Sequence, residues 1–389
     1  MKRKSAIKSV ITASGVLGAM LAASSAMAAE QWPDLPAGVK NGIGVKAGNT
    51  LYVGLGSAGQ SFYALDLKNR KSGWKKMADF NGPARSGATA SLSDGKIFVF
   101  GGSGMETADA KSPVIFDSVY SFDIEENQWT KEKTKAPAGL LGATSHTLED
   151  GEIVFFGGYN KQVFDKYLAD VTSVDAKKEP EKWNDIVNSF MGRLPEGYRW
   201  NTEVLAFSPE DNTWHSKGKA PYLPNCGAAI VAEEDTVTLV SGEVKPGLRT
   251  DEVKTAKFDE NTVWWRTDSA LPKPTGHSLQ EGVAGAYAGK IGDVLLVAGG
   301  ANFHGARAQF DGGEPFAHKG LGKAYNPEIY LMENKTWKQA NNLPKGIAYG
   351  ASFTLEDGVL VVGGEDASGK ALNDVYLLTL DGSKVSILN

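Results

Sequence analysis

Four charged side chains crowd the stretch SGEVKPGLRTD (residues 241–251): Glu243, Lys245, Arg249 and Asp251. A carboxylate can take or give a proton, and a guanidinium matches a carboxylate ligand with parallel, charge-assisted hydrogen bonds. Pro246-Gly247 reads as a turn, which folds Arg249 back toward Glu243. Such a pair could hold an acidic molecule and move a proton beside it. A tether across a loop mouth is the structural alternative, and the surrounding elements bear on the choice.

Those elements repeat. Short apolar runs ending in glycine recur as LYVGLG (51–56), KIFVFGG (96–102), EIVFFGG (152–158), TVTLVSG (236–242), DVLLVAGG (293–300) and GVLVVGG (358–364). Before them lie small-residue strands such as SGATASL (86–92) and CGAAIVA (226–232). After them come strands such as VYSFDIEENQW (119–129) and IYLMENKTW (329–337), with a tryptophan closing a tight turn. Each unit therefore reads as four antiparallel strands, and six such sheets stacked about an axis make an all-β, six-bladed β-propeller. The glycine pair and later tryptophan, at about 50 residues per blade, resemble the kelch repeat. Trp74, Trp129, Trp214 and Trp337 are assigned to blade packing.

Strand parity places the long connections, 103–116, 159–202, 243–250 and 301–325, on one face of the disc. Tight turns such as SDGK (93–96) lie on the other. Within 159–202, Trp183, Ile186, Val187, Phe190 and Met191 fall on one helical face, so blade three carries a short helical insertion over 179–195. It is either a lid or a packing surface, the latter including a possible homodimer.

Glu243 stands where an inner strand ends, near the axis on the loop-bearing face, and Glu365 follows Gly363-Gly364 in the same way. Superposing the inner strands on a shared glycine-alanine pair aligns Gly87, Gly142, Gly227, Gly285 and Gly350, with Arg85, Leu140, Asn225, Val283 and Ala348 two residues earlier. Loop 301–325 adds His304, Arg307 and His318. Glu243 beside such a basic pocket would suit proton transfer. Arg85, Asn225, Lys245, Arg307, His318, Tyr349 and Glu365 are the expected substrate-binding set around one central cavity. Several arginines at one mouth point to an anionic ligand.

The runs LYVGLGSAG (51–59), SGEVKPGLRTD (241–251), FAHKGL (316–321) and the terminal GGE (363–365) resemble the periplasmic N-acetylneuraminate epimerases, or sialic acid mutarotases, along nearly the whole mature chain. The resemblance implies an isomerase that interconverts the α- and β-anomers of N-acetylneuraminate. In it the glutamate and arginine of GEVKPGLR, here Glu243 and Arg249, act as the catalytic pair, with no metal or organic cofactor. Three other readings compete. A glycan- or protein-binding propeller without catalysis needs nothing the repeat excludes. A sialidase needs S-x-D-x-G-x-x-W turns, which SPEDNTW (208–214) lacks. A copper radical oxidase needs clustered His, Tyr and Cys, yet the five histidines are scattered and Cys226 stands alone.

Lys2, Arg3, Lys4 and Lys8, an apolar run and Ala26-Met27-Ala28 predict a signal peptide over residues 1–28, leaving 29–389 as one propeller; the resemblance implies the periplasm. The chain carries a formal charge of −5, and loss of those four cations would leave it more negative still. That sign speaks against nucleic acid or an anionic membrane as partner. A single cysteine forms no internal disulfide, so the fold must rest on its core.

Overall fold

The alternating apolar runs bury themselves by stacking sheet on sheet. In the computed structural model, which describes residues 31–259, 262–382 and 384–389, six antiparallel sheets each run through four strands in sequence order. They occupy residues 43–76, 86–135, 144–219, 229–268, 287–339 and 351–388. These are the six blades of a β-propeller, as the repeat predicts. First strands pack on one another between blades one and two, two and three, four and five, five and six, and six and one, and their Gly, Ala, Ser and Thr residues let six strands crowd around one channel. Gly44, Ala88, Ser145, Ala229 and Ser352 line that channel.

Between blades the core is aromatic and aliphatic. Phe62, Phe122 and Trp129 meet in one cluster across blades one and two, with ring centroids 5.0–5.2 Å apart. Repeat tryptophans fasten blades two, three and five to what precedes them. Trp129 donates through Nε1 to the Ala78 carbonyl (3.0 Å), Trp214 to Thr134 Oγ1 (3.1 Å) and Trp337 to the Ser269 carbonyl (2.8 Å). Trp74 of blade one instead donates to Pro33 (2.8 Å). The segment holding Pro33 seals the ring: Leu35 and Val39 donate backbone N–H groups to Asn373 and Leu372 of blade six. Trp32, Leu35 and Val39 fill the core between blades six and one.

A second ring of bonds encircles the channel mouth. The backbone N–H of Gly87 donates to Asn41, Gly142 to Gly87, Gly227 to Gly142, Gly285 to Gly227, Tyr349 to Gly285 and Asn41 to Tyr349, all at 2.8–3.0 Å. Every member has a left-handed backbone, with φ between 50° and 71°. Glycine adopts that conformation freely and asparagine tolerates it, whereas other residues lose roughly 1–2 kcal/mol in it. The ring also corrects the alignment of blade six. Tyr349, not Gly350, occupies the glycine position there, so the shared glycine-alanine pair misplaces that blade by one residue.

The connections build the loop-bearing face. Residues 159–202 hold two helices, Lys161–Thr172 and Pro180–Met191, where the sequence predicts only the second. Asn160 caps the first by accepting from Val163 N–H (3.0 Å), and Tyr167 stacks on Phe190 between the two. Phe190 is buried, while Trp183, Ile186 and Val187 are half-buried. Two small hairpins project from the same face: Glu243–Lys245 with Leu248–Arg249, and Ala301–Asn302 with Ala324–Tyr325.

Candidate active site

In the first of these hairpins Pro246-Gly247 makes the turn and Glu243 pairs directly with Arg249. Gly247 has φ +83°, and a Cβ there would land 1.6 Å from His318 Nδ1, so both the turn and its neighbour require glycine. The Gly247 N–H donates to Glu243 Oε1 (2.8 Å), and Tyr159 Oη donates to Glu243 Oε2 (2.8 Å). Arg249 Nη1 lies 3.2 Å from Glu243 Oε1, with the two side chains 5% and 15% exposed. Burial works against the Arg249 charge, but Glu243 and the Tyr349 hydroxyl beside it hold its pKa above the usual arginine value. Although ion-paired, Arg249 Nη1 is not aligned for a hydrogen bond, and both Nε and Nη1 are buried without a hydrogen-bond partner. Buried donors in native interiors are normally met by protein, water or a bound ligand.

Several elements fix this pair. Ser241, with φ 60°, stands where other blades have the first glycine of the pair. Its hydroxyl donates to the Thr250 carbonyl (2.5 Å) and accepts from Val283 N–H (2.7 Å), pinning the end of the hairpin to blade five. Arg307 Nη2 donates to the Arg249 carbonyl (2.8 Å), so this arginine braces the backbone of Arg249. Phe303 lies under the Arg249 guanidinium at 5.0 Å. His318 packs against Phe303 and Phe316, and burial and then the Arg249 charge lower its pKa, keeping it neutral near pH 7.

Glu365 occupies the same blade position as Glu243. Cys226 with Glu243, Ala284 with Ala301 and Ala348 with Glu365 form matching bridges in blades four, five and six. Its carboxylate is held by Lys40 (2.5 Å), Lys323 (3.2 Å) and the Tyr325 hydroxyl. Burial opposes its ionisation, yet these three partners bring its pKa below the usual glutamate value. Lys323 also lies 4.6 Å from the centre of the Tyr349 ring. Tyr349 thus sits between two clusters, Glu243 with Arg249 and Glu365 with Lys323.

Three expected ligand-binding residues are used elsewhere. Arg85 is 2% exposed and stacks over Phe80, Phe116 and Tyr120. Its guanidinium donates to the carbonyls of Gly101 (3.2 Å) and Ser118 (3.3 Å), so it braces blade two and does not face the mouth. Asn225 is buried and donates to the Ser241 carbonyl. Lys245 follows a register slip in the hairpin, and its ammonium donates to the carbonyls of Met191 (2.9 Å), Arg193 (2.6 Å) and Pro315. It ties insertion 159–202 to insertion 301–325. Burial pushes its pKa down to about 8, against the pull of the Glu314 carboxylate toward the charged form. Lys245→Met would strip those buried carbonyls of their donor, and a loss of about 3 kcal/mol of unfolding free energy is expected. Urea unfolding measures it, and a loss below about 0.5 kcal/mol, the range of an ordinary surface change, would remove the tether role.

Sequence reasoning missed Tyr159, Lys40, Lys323 and Tyr325. Tyr159 carried a signal: it follows Gly157-Gly158 as Glu243 follows Ser241-Gly242, so it occupies the same mouth position in blade three. Cys226 is buried among Phe190, Tyr198 and Trp200, and burial pushes its thiol up.

The family model for N-acetylneuraminate epimerase matches residues 32–387. The chain belongs to the N-acetylneuraminate epimerase family. Relatives bearing that name include one from Vibrio vulnificus, 51% identical over 389 residues and covering 100% of both chains. Another, from Brucella melitensis, is 51% identical over 386 residues, covering 99% of this chain and 100% of its own. A solved structure of YjhT superposes with a TM-score of 0.86 at 35% identity, over 92% of this chain and 99% of that one.

Proposed function

We propose that this protein is an N-acetylneuraminate epimerase that speeds the exchange of α- and β-anomers. The observation that carries the reading is the buried Arg249 guanidinium beside the Glu243 carboxylate, with Nε and Nη1 lacking hydrogen-bond partners. N-acetylneuraminate has its carboxylate on the anomeric carbon, which also bears the hydroxyl and the ring oxygen. A guanidinium that takes the carboxylate therefore sets the reacting carbon beside it, and Glu243 lies within reach of the hydroxyl.

Glu243 takes the hydroxyl proton, and the electron pair forms the carbonyl as the bond to the ring oxygen breaks. The ring oxygen gains a proton, the opened chain rotates, and closure on the other face returns both protons. Once the sugar carboxylate shares the guanidinium charge, Glu243 is drawn less tightly to Arg249 and is freer to act. Tyr159 and Gly247 hold the carboxylate in place through this change. Acid–base assistance of this kind contributes about 10²–10⁴-fold, enough for a reaction that also proceeds unaided in water.

The proposal extends to place. Residues 1–28 have the pattern of an export signal and lie outside the described residues, and the reading puts the mature protein in the periplasm. There it would meet sialic acid soon after glycoside cleavage.

The test is to release the α-anomer with a sialidase and follow its decay by proton NMR with and without the protein. Acceleration at catalytic concentrations is expected. Perturbed sugar resonances without faster exchange would instead identify a binding propeller, and release of sugar from a glycoside by this protein alone would identify a hydrolase.

A further inference from the structure

Ring opening needs an acid as well as a base, and Glu243 supplies only one of them. The channel-mouth ring holds the second. Of its six left-handed positions, four are glycine and one is asparagine; Tyr349 alone brings a bulky side chain, at φ 65°. Strained non-glycine residues of this kind collect at functional sites. Its neighbour makes room for it: a Cβ on Gly285 would lie 2.3 Å from Tyr349 Cδ1, so the phenol ring lies across the glycine of blade five.

The neighbours of that phenol decide what it can do. Arg249 lies beside it, and the Lys323 ammonium sits 4.6 Å from its ring centre. A guanidinium and an ammonium have donors only. Neither can accept the phenol hydrogen.

We infer that Tyr349 is the proton donor to the sugar's ring oxygen. The inference rests on the reading of the site as a sialic acid mutarotase. Carboxylate, hydroxyl and ring oxygen all branch from one carbon, so three protein groups around one point must serve them. Arg249 is the shared neighbour of Glu243 and Tyr349. As the bond between anomeric carbon and ring oxygen breaks, its electron pair stays on that oxygen, which takes the Tyr349 proton. The phenolate left behind lies between Arg249 and Lys323. On reclosure the ring hydroxyl returns its proton to Tyr349 as Glu243 reprotonates the carbonyl oxygen.

Tyr349→Phe keeps the ring, the backbone and the packing over Gly285 and removes only the hydroxyl. Its kcat for anomer exchange is expected to fall about 10²–10³-fold, with KM within about threefold of the wild type and an unchanged thermal midpoint. A role in binding alone would instead raise KM at constant kcat. The solvent deuterium effect on kcat, measured on both proteins, separates a proton donor from a structural phenol. It should be normal in the wild type and altered in the variant, because the proton to the ring oxygen would then come from water. Wild-type kcat and isotope effect in the variant overturn this assignment while leaving the mutarotase reading intact. No acceleration by the wild type overturns both.

Discussion

Glu243→Gln is expected to slow α-to-β exchange about 10²–10⁴-fold with substrate affinity nearly unchanged. The amide keeps the shape of the side chain, and its oxygen can still accept from Gly247 N–H or from Tyr159 Oη, the two donors that fix the carboxylate at 2.8 Å. What it loses is the ability to take a proton. It also removes the only carboxylate within ion-pair distance of Arg249 among the described residues, and the bound sugar supplies one in its place. Affinity should therefore hold or rise as turnover falls. The two quantities separate in a paired experiment, with exchange followed by proton NMR and binding by calorimetry on the same preparations. Exchange at the wild-type rate would remove Glu243 from the mechanism.

Arg249 variants should fail differently. Arg249→Lys retains a positive charge but loses the planar donor set, and charge-assisted hydrogen bonds to a carboxylate are worth about 1.5–3 kcal/mol each. A drop of about 10–100-fold in kcat/KM, seen mostly in KM, is expected. Arg249→Ala goes further, because it leaves Glu243 half-enclosed without its counter-charge. Breaking a buried pair in this way costs about 3–5 kcal/mol, so a lower thermal midpoint should accompany loss of activity. If the alanine variant keeps both its stability and its KM, the guanidinium does not hold the substrate.

The fold was legible because its signal is repeated. Any one glycine-terminated run could end a strand in many folds, but six of them, each preceded by a small-residue strand, admit few architectures. The Glu243–Arg249 meeting was legible for a local reason: a Pro-Gly turn between them leaves the chain little choice but to fold back. The roles of other cations were not. Arg85, Lys245 and Arg249 look alike in sequence, yet backbone carbonyls hold the first two and only the third keeps unpaired donors. Which acceptors a long side chain finds depends on loops whose paths the sequence does not state.

Register was the other weak point. The pair Gly350-Ala351 matches the inner-strand pattern of other blades, but the hydrogen-bond ring puts Tyr349 in the glycine position. A word match beat the steric rule because a tyrosine is not expected at positive φ. The helix Lys161–Thr172 illustrates a different gap. Val163, Phe164, Tyr167 and Leu168 have helical spacing, but none of its residues is fully buried, so its amphipathic signal is diffuse beside that of Pro180–Met191.

One measurement bears most directly on the whole account: a crystal structure of the protein with N-acetylneuraminate bound. The sugar carboxylate should lie about 2.7–3.0 Å from guanidinium nitrogens of Arg249, with the anomeric hydroxyl against Glu243 at the mouth of the channel. A sugar whose carboxylate pairs with Lys40 and Lys323 at Glu365, or which binds away from the channel, would contradict it.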